Sequence, residues 1–115
     1  MSDAGEVVAR LRAKVPGVRV IGATVTSALG STSAAHGHVE QNEKRIALND
    51  FVRTSALFDG VVDFEKVALD TATGGMRPEF VPDSTTGGPG DKLHPNRAGY
   101  LAMGNAIDLG MVVKK

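Results

Sequence analysis

The sequence predicts an α/β protein with parallel strands, because apolar strand-like runs alternate along the chain with amphipathic helical segments. The run at residues 18–25 is rich in β-branched side chains and scarcely alternates with polar positions, which is typical of a strand covered on both faces. Only one other run, at residues 58–64, has a strand-like pattern. Since a two-stranded sheet is marginal alone, the sequence indicates one side of a larger doubly wound sheet.

The elements are expected in the order helix, strand, helix, strand, long loop, helix. Val7, Val8, Leu11 and Val15 recur at helical spacing and predict the first, amphipathic helix. In chain order, we predict a helix at 3–14 that ends at Pro16-Gly17, a strand at 18–25, a loop at 26–38, a helix at 39–54, a strand at 58–64 and a loop from about 70 to 93. The final helix is predicted to follow the N-cap Asn96, and its apolar positions are Ala98, Leu101, Ala102, Ala106 and Leu109.

The second predicted helix has one apolar side, formed by Leu48, Phe51 and Val52, which we expect to face the core. Arg45 and Arg53 are expected on its solvated face, where they would form local ion pairs.

Chain length, charge balance and cysteine content limit the classes of function that the sequence allows. The 115 residues suffice for one domain with one core. Thirteen basic residues balance thirteen acidic ones, so electrostatics gives no reason to expect nucleic acid as a partner. The absence of cysteine excludes disulfides and thiolate metal sites. We expect no membrane span, because no apolar run has the length required, and no signal peptide at the N-terminus; the compartment is left open.

An acid and an imidazole, Asp91 and His94, lie three residues apart just before the final helix. A histidine acts as a general base when a carboxylate holds its other ring nitrogen and fixes its tautomer. This separation lets both side chains meet on one turn, and Pro95 limits the freedom of that turn. We therefore expect Asp91 to hold Nδ1–H of His94, so that Nε2 is free to accept a proton.

Three segments are similar in order and spacing to the SGNH (GDSL) family of serine ester hydrolases. They are residues 20–26, residues 43–53 running into 58–64, and residues 90–100, and the likeness extends over roughly residues 4–110. The last segment, Gly-Asp-Lys-Leu-His-Pro-Asn-Arg-Ala-Gly-Tyr, is the specific one. The resemblance implies a flavodoxin-like three-layer α/β/α fold, hydrolysis of carboxylic esters through an acyl-enzyme, and no metal or organic cofactor.

Of the family's motifs, only the last is present. Asp91 matches the orienting acid and His94 the base, whereas no Gly-Asp-Ser nucleophile motif occurs in the chain. Asn49-Asp50 resembles the family's oxyanion Asn-Asp dipeptide, but it lies within a predicted helix and out of the family's order, so we reject it. Residues 1–115 are thus expected to be the C-terminal half of one hydrolase domain, inactive alone, with a small-molecule ester as substrate of the complete enzyme.

The same residues also allow simpler interpretations. Asp91 and His94 would also suit the start of a helix without catalysis, and Gly99 and Tyr100 are expected to be packing residues of its first turn. His36, His38 and Glu40 would suit a metal site, but two loop histidines with no third ligand at a diagnostic spacing are usually solvated.

The remaining motifs are weak. The glycine-rich stretch before Asp91 lacks the Gly-Lys-Ser/Thr of a phosphate loop. Ser27, Ser31 and Ser33 follow a predicted strand, but none lies on a tight strand-to-helix elbow, so we expect plain loop serines. The alternative function is a non-enzymatic α/β module that binds itself or a protein partner through an open strand edge.

Overall fold

The computed structural model describes residues 2–113. Its elements are α1 (Ser2–Lys14), β1 (Ile21–Ala23), α2 (Val39–Thr54), β2 (Gly60–Val62), α3 (Phe64–Ala68), α4 (Arg97–Asn105) and α5 (Leu109–Val112), with a 3₁₀ turn at Pro78–Phe80. The strands pair in parallel, with Ile21 opposite Gly60 and Ala23 opposite Val62. The predicted α/β class with parallel strands is confirmed.

Both strands are shorter than predicted, and around β1 side chains satisfy the backbone beyond the strand ends. The Asn49 amide accepts a hydrogen bond from Val25 N at 2.7 Å and donates one to Val25 O at 2.9 Å. Before β1, Val20 N donates to Asp59 Oδ2 at 2.8 Å. Polar side chains thus take the place of ladder partners at both ends of the predicted 18–25 strand.

The second helix begins and ends where the sequence predicts. Val52 is buried, and Phe51 packs edge-to-face on Phe58 with ring centroids 6.4 Å apart. These contacts confirm that the predicted apolar side of α2 faces the core.

The final helix is broken, which the apolar spacing did not predict. α4 ends at Asn105, and Ile107 N then donates to Gly104 O at 3.2 Å in a tightened turn. Asp108 caps the separate helix α5, because its Oδ1 accepts from Gly110 N at 2.9 Å.

The sequence pattern did not predict two further structural elements, a short helix and an ordered part of the long loop. α3 follows β2 directly and is capped by Asp63, whose Oδ1 accepts from Lys66 N at 3.3 Å. Within the predicted 70–93 loop, the 3₁₀ turn and a bridge between Leu69 and Met76 order the backbone. Met76 is 6% exposed, so part of this loop belongs to the core.

The apolar core is small: its buried members are Val8, Val52, Val62, Ala68 and Met76. The predicted apolar stripe of α1 is mostly uncovered, since Val7, Leu11 and Val15 are 57%, 44% and 53% exposed. A helix face of this kind normally packs against another element.

One edge of β1 is also unpaired. Because Thr24 N donates to Val62 O at 3.0 Å and a parallel ladder uses alternate residues, the backbone groups of Ile21 and Ala23 point away from β2. Among residues 2–113, no further strand pairs with β1.

Candidate active site

Asp91 and His94 are in direct contact on the turn that precedes α4. Oδ2 of Asp91 lies 2.6 Å from His94 Nδ1, while Oδ1 accepts from the backbone N–H groups of His94 at 2.9 Å and Leu93 at 3.0 Å. An ionised carboxylate only accepts, so Nδ1 carries the proton and Nε2 of the neutral ring is the free acceptor. The His94 side chain is 47% exposed, which leaves this nitrogen open to a reacting group.

Hydrogen bonding to the carboxylate also sets its charge. The backbone N–H of His94, followed by the His94 ring, lowers the pKa of Asp91 from 3.8 to about 2. Asp91 is therefore a fixed anion near neutral pH. Such an anion holds the imidazole in one tautomer and stabilises the imidazolium.

The turn depends on unusual backbone geometry. Lys92, between the acid and the base, has φ +57°, in the left-handed region that non-glycine residues seldom adopt. Gly90 has φ +79°, and a Cβ there would collide with the carbonyl of Val81. Strain of this kind concentrates at functional sites.

Asn96 fixes the other side of the turn, as its predicted role of N-cap requires. Its Oδ1 accepts from Gly99 N at 3.0 Å, and its Nδ2 donates to the carbonyls of Glu79 and Pro82 at 2.9 Å. Asn96 therefore binds the start of α4 to the 78–82 segment.

Gly99 is a packing residue, as expected, since a Cβ would lie 2.7 Å from Pro95 Cβ. Tyr100 is 44% exposed, so the expectation that it packs in the first turn is wrong.

The loop after β1 holds the turn from a third side. Ser31 Oγ donates to the backbone carbonyl of Asp91 at 2.7 Å, and Thr32 N donates to the same carbonyl at 3.1 Å. Ser31 was predicted to be a plain loop serine, so its contact with the candidate acid was missed; no local sequence signal pairs residues so far apart.

The sequence profile of the GDSL-like Lipase/Acylhydrolase family matches residues 3–102. The chain belongs to this family. No curated protein matches the chain. The matched region contains the Asp91 turn, and family membership supports a hydrolase acting on esters.

The serines after β1 and the Asn49 amide are held by structural contacts, away from the His94 ring. No hydroxyl among residues 2–113 hydrogen-bonds to His94 Nε2. Ser27 is 2% exposed, and its Oγ donates to Gly74 O at 2.6 Å, as suits a structural loop serine. Asn49 is completely buried, with its amide bound to Val25 and Glu65, so it is no substitute for the family's oxyanion asparagine.

A partly buried charge network of Arg45, Arg53, Asp63 and Glu65 lies at the carboxyl end of the strands. Arg45 pairs with Glu65, whose side chain is 10% exposed, and Arg53 pairs with Glu65 at 2.5 Å and with Asp63 at 2.9 Å. The prediction that Arg45 faces solvent is wrong: its side chain is also only 10% exposed. The sequence did not predict this network because Arg45 and Glu65 are 20 residues apart and meet only through long side chains in the folded chain.

The network shifts the pKa values of its acids downward. Burial opposes ionisation of Glu65, but hydrogen bonds from Arg53, Arg45 and Asn49 outweigh it and lower the pKa. The Arg53 hydrogen bond lowers the pKa of Asp63 to about 2. Both acids are therefore ionised at neutral pH, where Glu65 pairs with Arg45 and Arg53, and Asp63 pairs with Arg53.

Two concavities flank the Asp91 turn. One, of about 480 Å³, is lined by apolar side chains including Leu29, Met76 and Val81, and Lys92 lies on its wall. The other, of about 200 Å³, is lined by Leu93, Arg45 and His36 among others. The two residues between Asp91 and His94 thus contribute to different cavities.

The remaining expectations concern metals and membranes. Between residues 2 and 113, no group of three His, Asp or Glu side chains is placed to hold a metal ion, and His36, His38 and Glu40 are exposed. Within the same range, no helix combines the length and the apolarity that crossing a bilayer requires.

Proposed function

We propose that this chain supplies the acid–base half of a GDSL-type active site that hydrolyses carboxylic esters, with His94 as general base and Asp91 as its orienting acid. The observation that carries the proposal is the 2.6 Å contact between His94 Nδ1 and Asp91 Oδ2, which leaves Nε2 free on an exposed ring. Family membership supports the reaction class.

In the proposed reaction, His94 Nε2 removes the proton from a serine hydroxyl as its oxygen attacks the acyl carbon. The resulting imidazolium returns that proton to the leaving alkoxide when the ester C–O bond breaks. A water molecule then repeats the sequence on the acyl-enzyme, releasing the carboxylic acid and regenerating the serine. Asp91 remains ionised throughout, in accord with its lowered pKa.

The serine and the oxyanion donors come from a complementary segment in this proposal, which makes residues 1–115 the C-terminal half of the catalytic domain. The unpaired edge of β1 and the uncovered stripe of α1 support this arrangement, because both suit packing against further strands and helices.

Complementation tests the proposal. The chain is mixed with an N-terminal segment from a family member that carries Gly-Asp-Ser, and hydrolysis of p-nitrophenyl acetate is followed. We expect activity only from the mixture. His94→Ala should abolish it, and Asp91→Asn should lower the rate on the order of a thousandfold to ten-thousandfold, because the wrong tautomer is favoured.

The matched control is His38→Ala, since His38 is an exposed histidine whose side chain makes no capping hydrogen bond to α2 and lies outside the Asp91 turn. It should leave the rate of the mixture unchanged. An undiminished rate in Asp91→Asn would show that Asp91 is not the orienting acid, and turnover by the isolated chain that needs one of its own serines would overturn the two-segment arrangement.

A second function is favoured by the β1 edge itself. In this alternative, the chain is a non-enzymatic module that pairs with itself or with a protein partner through Ile21 and Ala23. It predicts a discrete complex and no hydrolysis in the mixture described above.

A further inference from the structure

We propose that Asn96 is a positioning residue for the base His94, and that it acts by binding the Asp91 turn to residues 78–82 as well as by capping α4. Residues 78–82, which contain the 3₁₀ turn, are named here the 78–82 bracket. The proposal rests on the proposed role of His94 as general base and deepens it, because it names the group that keeps the base in place.

The side-chain amide of Asn96 makes two separate kinds of contact. Its Oδ1 accepts from Gly99 N at 3.0 Å, which is the capping hydrogen bond of α4. Its Nδ2 donates to the carbonyls of Glu79 and Pro82, both at 2.9 Å, and the backbone N–H of Asn96 donates to the Phe80 carbonyl at 2.9 Å. A helix cap needs only the first of these four bonds. The other three join Asn96 to the bracket.

The bracket holds the Asp91 turn at both ends. Before Asp91, the backbone of Gly90 passes so close to the Val81 carbonyl that a Cβ on Gly90 would collide with it. After His94, the bracket binds Asn96, two residues along the chain from the base. The acid and the base therefore lie between two points that are fixed on the same five-residue segment, which limits how far they can move apart.

The His94 ring depends on this restraint. Among residues 2–113, its hydrogen bond is the 2.6 Å contact of Nδ1 with Asp91, and the His94 side chain is 47% exposed. Few contacts of its own thus hold the ring, and its place is determined by the backbone on either side of it. A small displacement of a reacting group can cost a large factor in rate. Asn96 does not touch the ring, so it acts through the backbone.

The variant Asn96→Ser separates the two kinds of contact. Serine caps a helix about as well as asparagine, but its short side chain cannot also reach the carbonyls of the bracket. The first readout is hydrogen exchange of the Leu93 and His94 amides, which both donate to Asp91 Oδ1. Loss of the two Nδ2 hydrogen bonds should raise both exchange rates about fivefold to thirtyfold.

The second readout is the NMR resonance of the His94 Nδ1 proton, which the short contact with the Asp91 carboxylate moves downfield. In Asn96→Ser this resonance should broaden, because its proton exchanges with water whenever the turn opens. In the complementation mixture, the same variant should lower kcat several-fold with KM unchanged, because the base is less well placed.

Asp108→Ala is the matched control. It removes the cap of α5, in which Asp108 Oδ1 accepts from Gly110 N at 2.9 Å, and it lies outside both the bracket and the Asp91 turn. The exchange of the Leu93 and His94 amides and the Nδ1 resonance should be unchanged in this variant. Equal changes in both variants, or no change in Asn96→Ser, would show that Asn96 is only a helix cap and would overturn the proposal.

A measurement on the wild type decides the question if Asn96→Ser does not fold. The Asn96 amide, which donates to Phe80 O, and the His94 amide should show the same protection from exchange as urea is added below the unfolding transition, because the bracket and the turn open together. A His94 amide that exchanges much faster while the Asn96 amide stays protected would overturn the proposal. Exchange and NMR need no turnover, so an inactive wild-type mixture refutes the proposed function without deciding the role of Asn96.

Discussion

The hydroxyl of Ser31 donates a hydrogen bond to the backbone carbonyl of Asp91 at 2.7 Å, although the two residues are 60 positions apart in the chain. The loop that leaves β1 is thereby fastened to the turn that carries the candidate acid and base. Ser31 is in this sense a positioning residue, since it holds Asp91 without reaching the His94 ring. Such support determines how well a reacting geometry is kept.

Replacement of Ser31 by alanine should therefore loosen the Asp91 turn. We expect the pKa of Asp91 to rise from about 2 toward its ordinary value, because the hydrogen bonds from His94 would be formed for less of the time. The variant also loses two hydrogen bonds of the Ser31 hydroxyl, one to the Asp91 carbonyl and one from Ser33 N, which should lower the free energy of unfolding by about 1–2 kcal/mol. The carboxyl ¹³C shift of Asp91, followed against pH, measures the first effect. Ser33→Ala is the control, because no hydrogen bond joins the Ser33 hydroxyl to Asp91, and equal titration curves for both variants would contradict the positioning role.

Acid should destabilise the chain in a defined window. The pKa values of Asp63 and Asp91 are both about 2 in the folded chain, below the ordinary 3.8 that applies after unfolding. A lowered folded-state pKa stabilises the fold above the unfolded value, and this stabilisation is lost as pH falls toward the folded value. The urea concentration at the midpoint of unfolding should therefore decrease as the pH is lowered from about 4 to about 2. Asp63→Asn should flatten that fall, and a midpoint constant through the window would rule out this linkage.

The Arg45–Glu65 pair should dominate the stability contributed by charges. Arg45→Met removes one partner of a carboxylate that is 10% exposed, and Glu65 then keeps Arg53 and Asn49. We expect a loss of about 3 kcal/mol in the free energy of unfolding, the lower end for a broken buried pair. Arg10→Met breaks only the exposed pair with Glu6 and should cost below about 0.5 kcal/mol. Urea denaturation compares them, and equal costs would show that the buried network is weak.

Two glycines of α4 should respond in opposite directions to alanine. A Cβ on Gly99 would lie 2.7 Å from Pro95 Cβ and 3.2 Å from Phe80 Cβ, so Gly99→Ala should destabilise the fold by about 1–3 kcal/mol. Gly104 has no atom within 4 Å of that position, so Gly104→Ala should stabilise the helix by about 0.5–1 kcal/mol. Thermal unfolding of both variants gives the signs. Stabilisation by both would mean that Pro95 does not pack on α4 as described.

The sequence was most informative where local chemistry determines structure. The bounds of α2 follow from apolar spacing over 16 residues, and the Asn96 cap and the Asp91–His94 contact follow from spacings of three residues. In these cases the deciding interactions lie within one helix or one turn, so no tertiary information is needed. The catalytic role of the pair stays a prediction.

Tertiary contacts account for what the sequence did not predict. From the sequence, Asn49 is expected to be a polar residue on a helix surface. It is fully buried, because its amide forms hydrogen bonds with both the backbone N–H and the carbonyl of Val25. Met76 lies in a glycine- and proline-rich stretch that has no strand or helix pattern, yet the bridge to Leu69 brings it into the core. Neither arrangement can be derived from spacing, because the partners come from distant segments.

The exposed edge of β1 should make the isolated chain self-associate. Ile21 and Ala23 present unpaired backbone groups, and the α1 stripe adds uncovered apolar surface, so pairing between copies gains both hydrogen bonds and burial. Ala23→Lys places a charge on this edge and should shift the sedimentation profile toward monomer. Ala13→Lys makes the same change at an exposed position on the opposite side of α1 from the stripe and should leave the profile unaltered.

In hydrogen exchange, the amides of Ile21 and Ala23 should gain protection as the protein concentration is raised in the wild type, but not in Ala23→Lys. A dilute, cooperative monomer with both amides strongly protected would show that the two-stranded sheet is sufficient alone, and the case for a complementary segment at this edge would then fail.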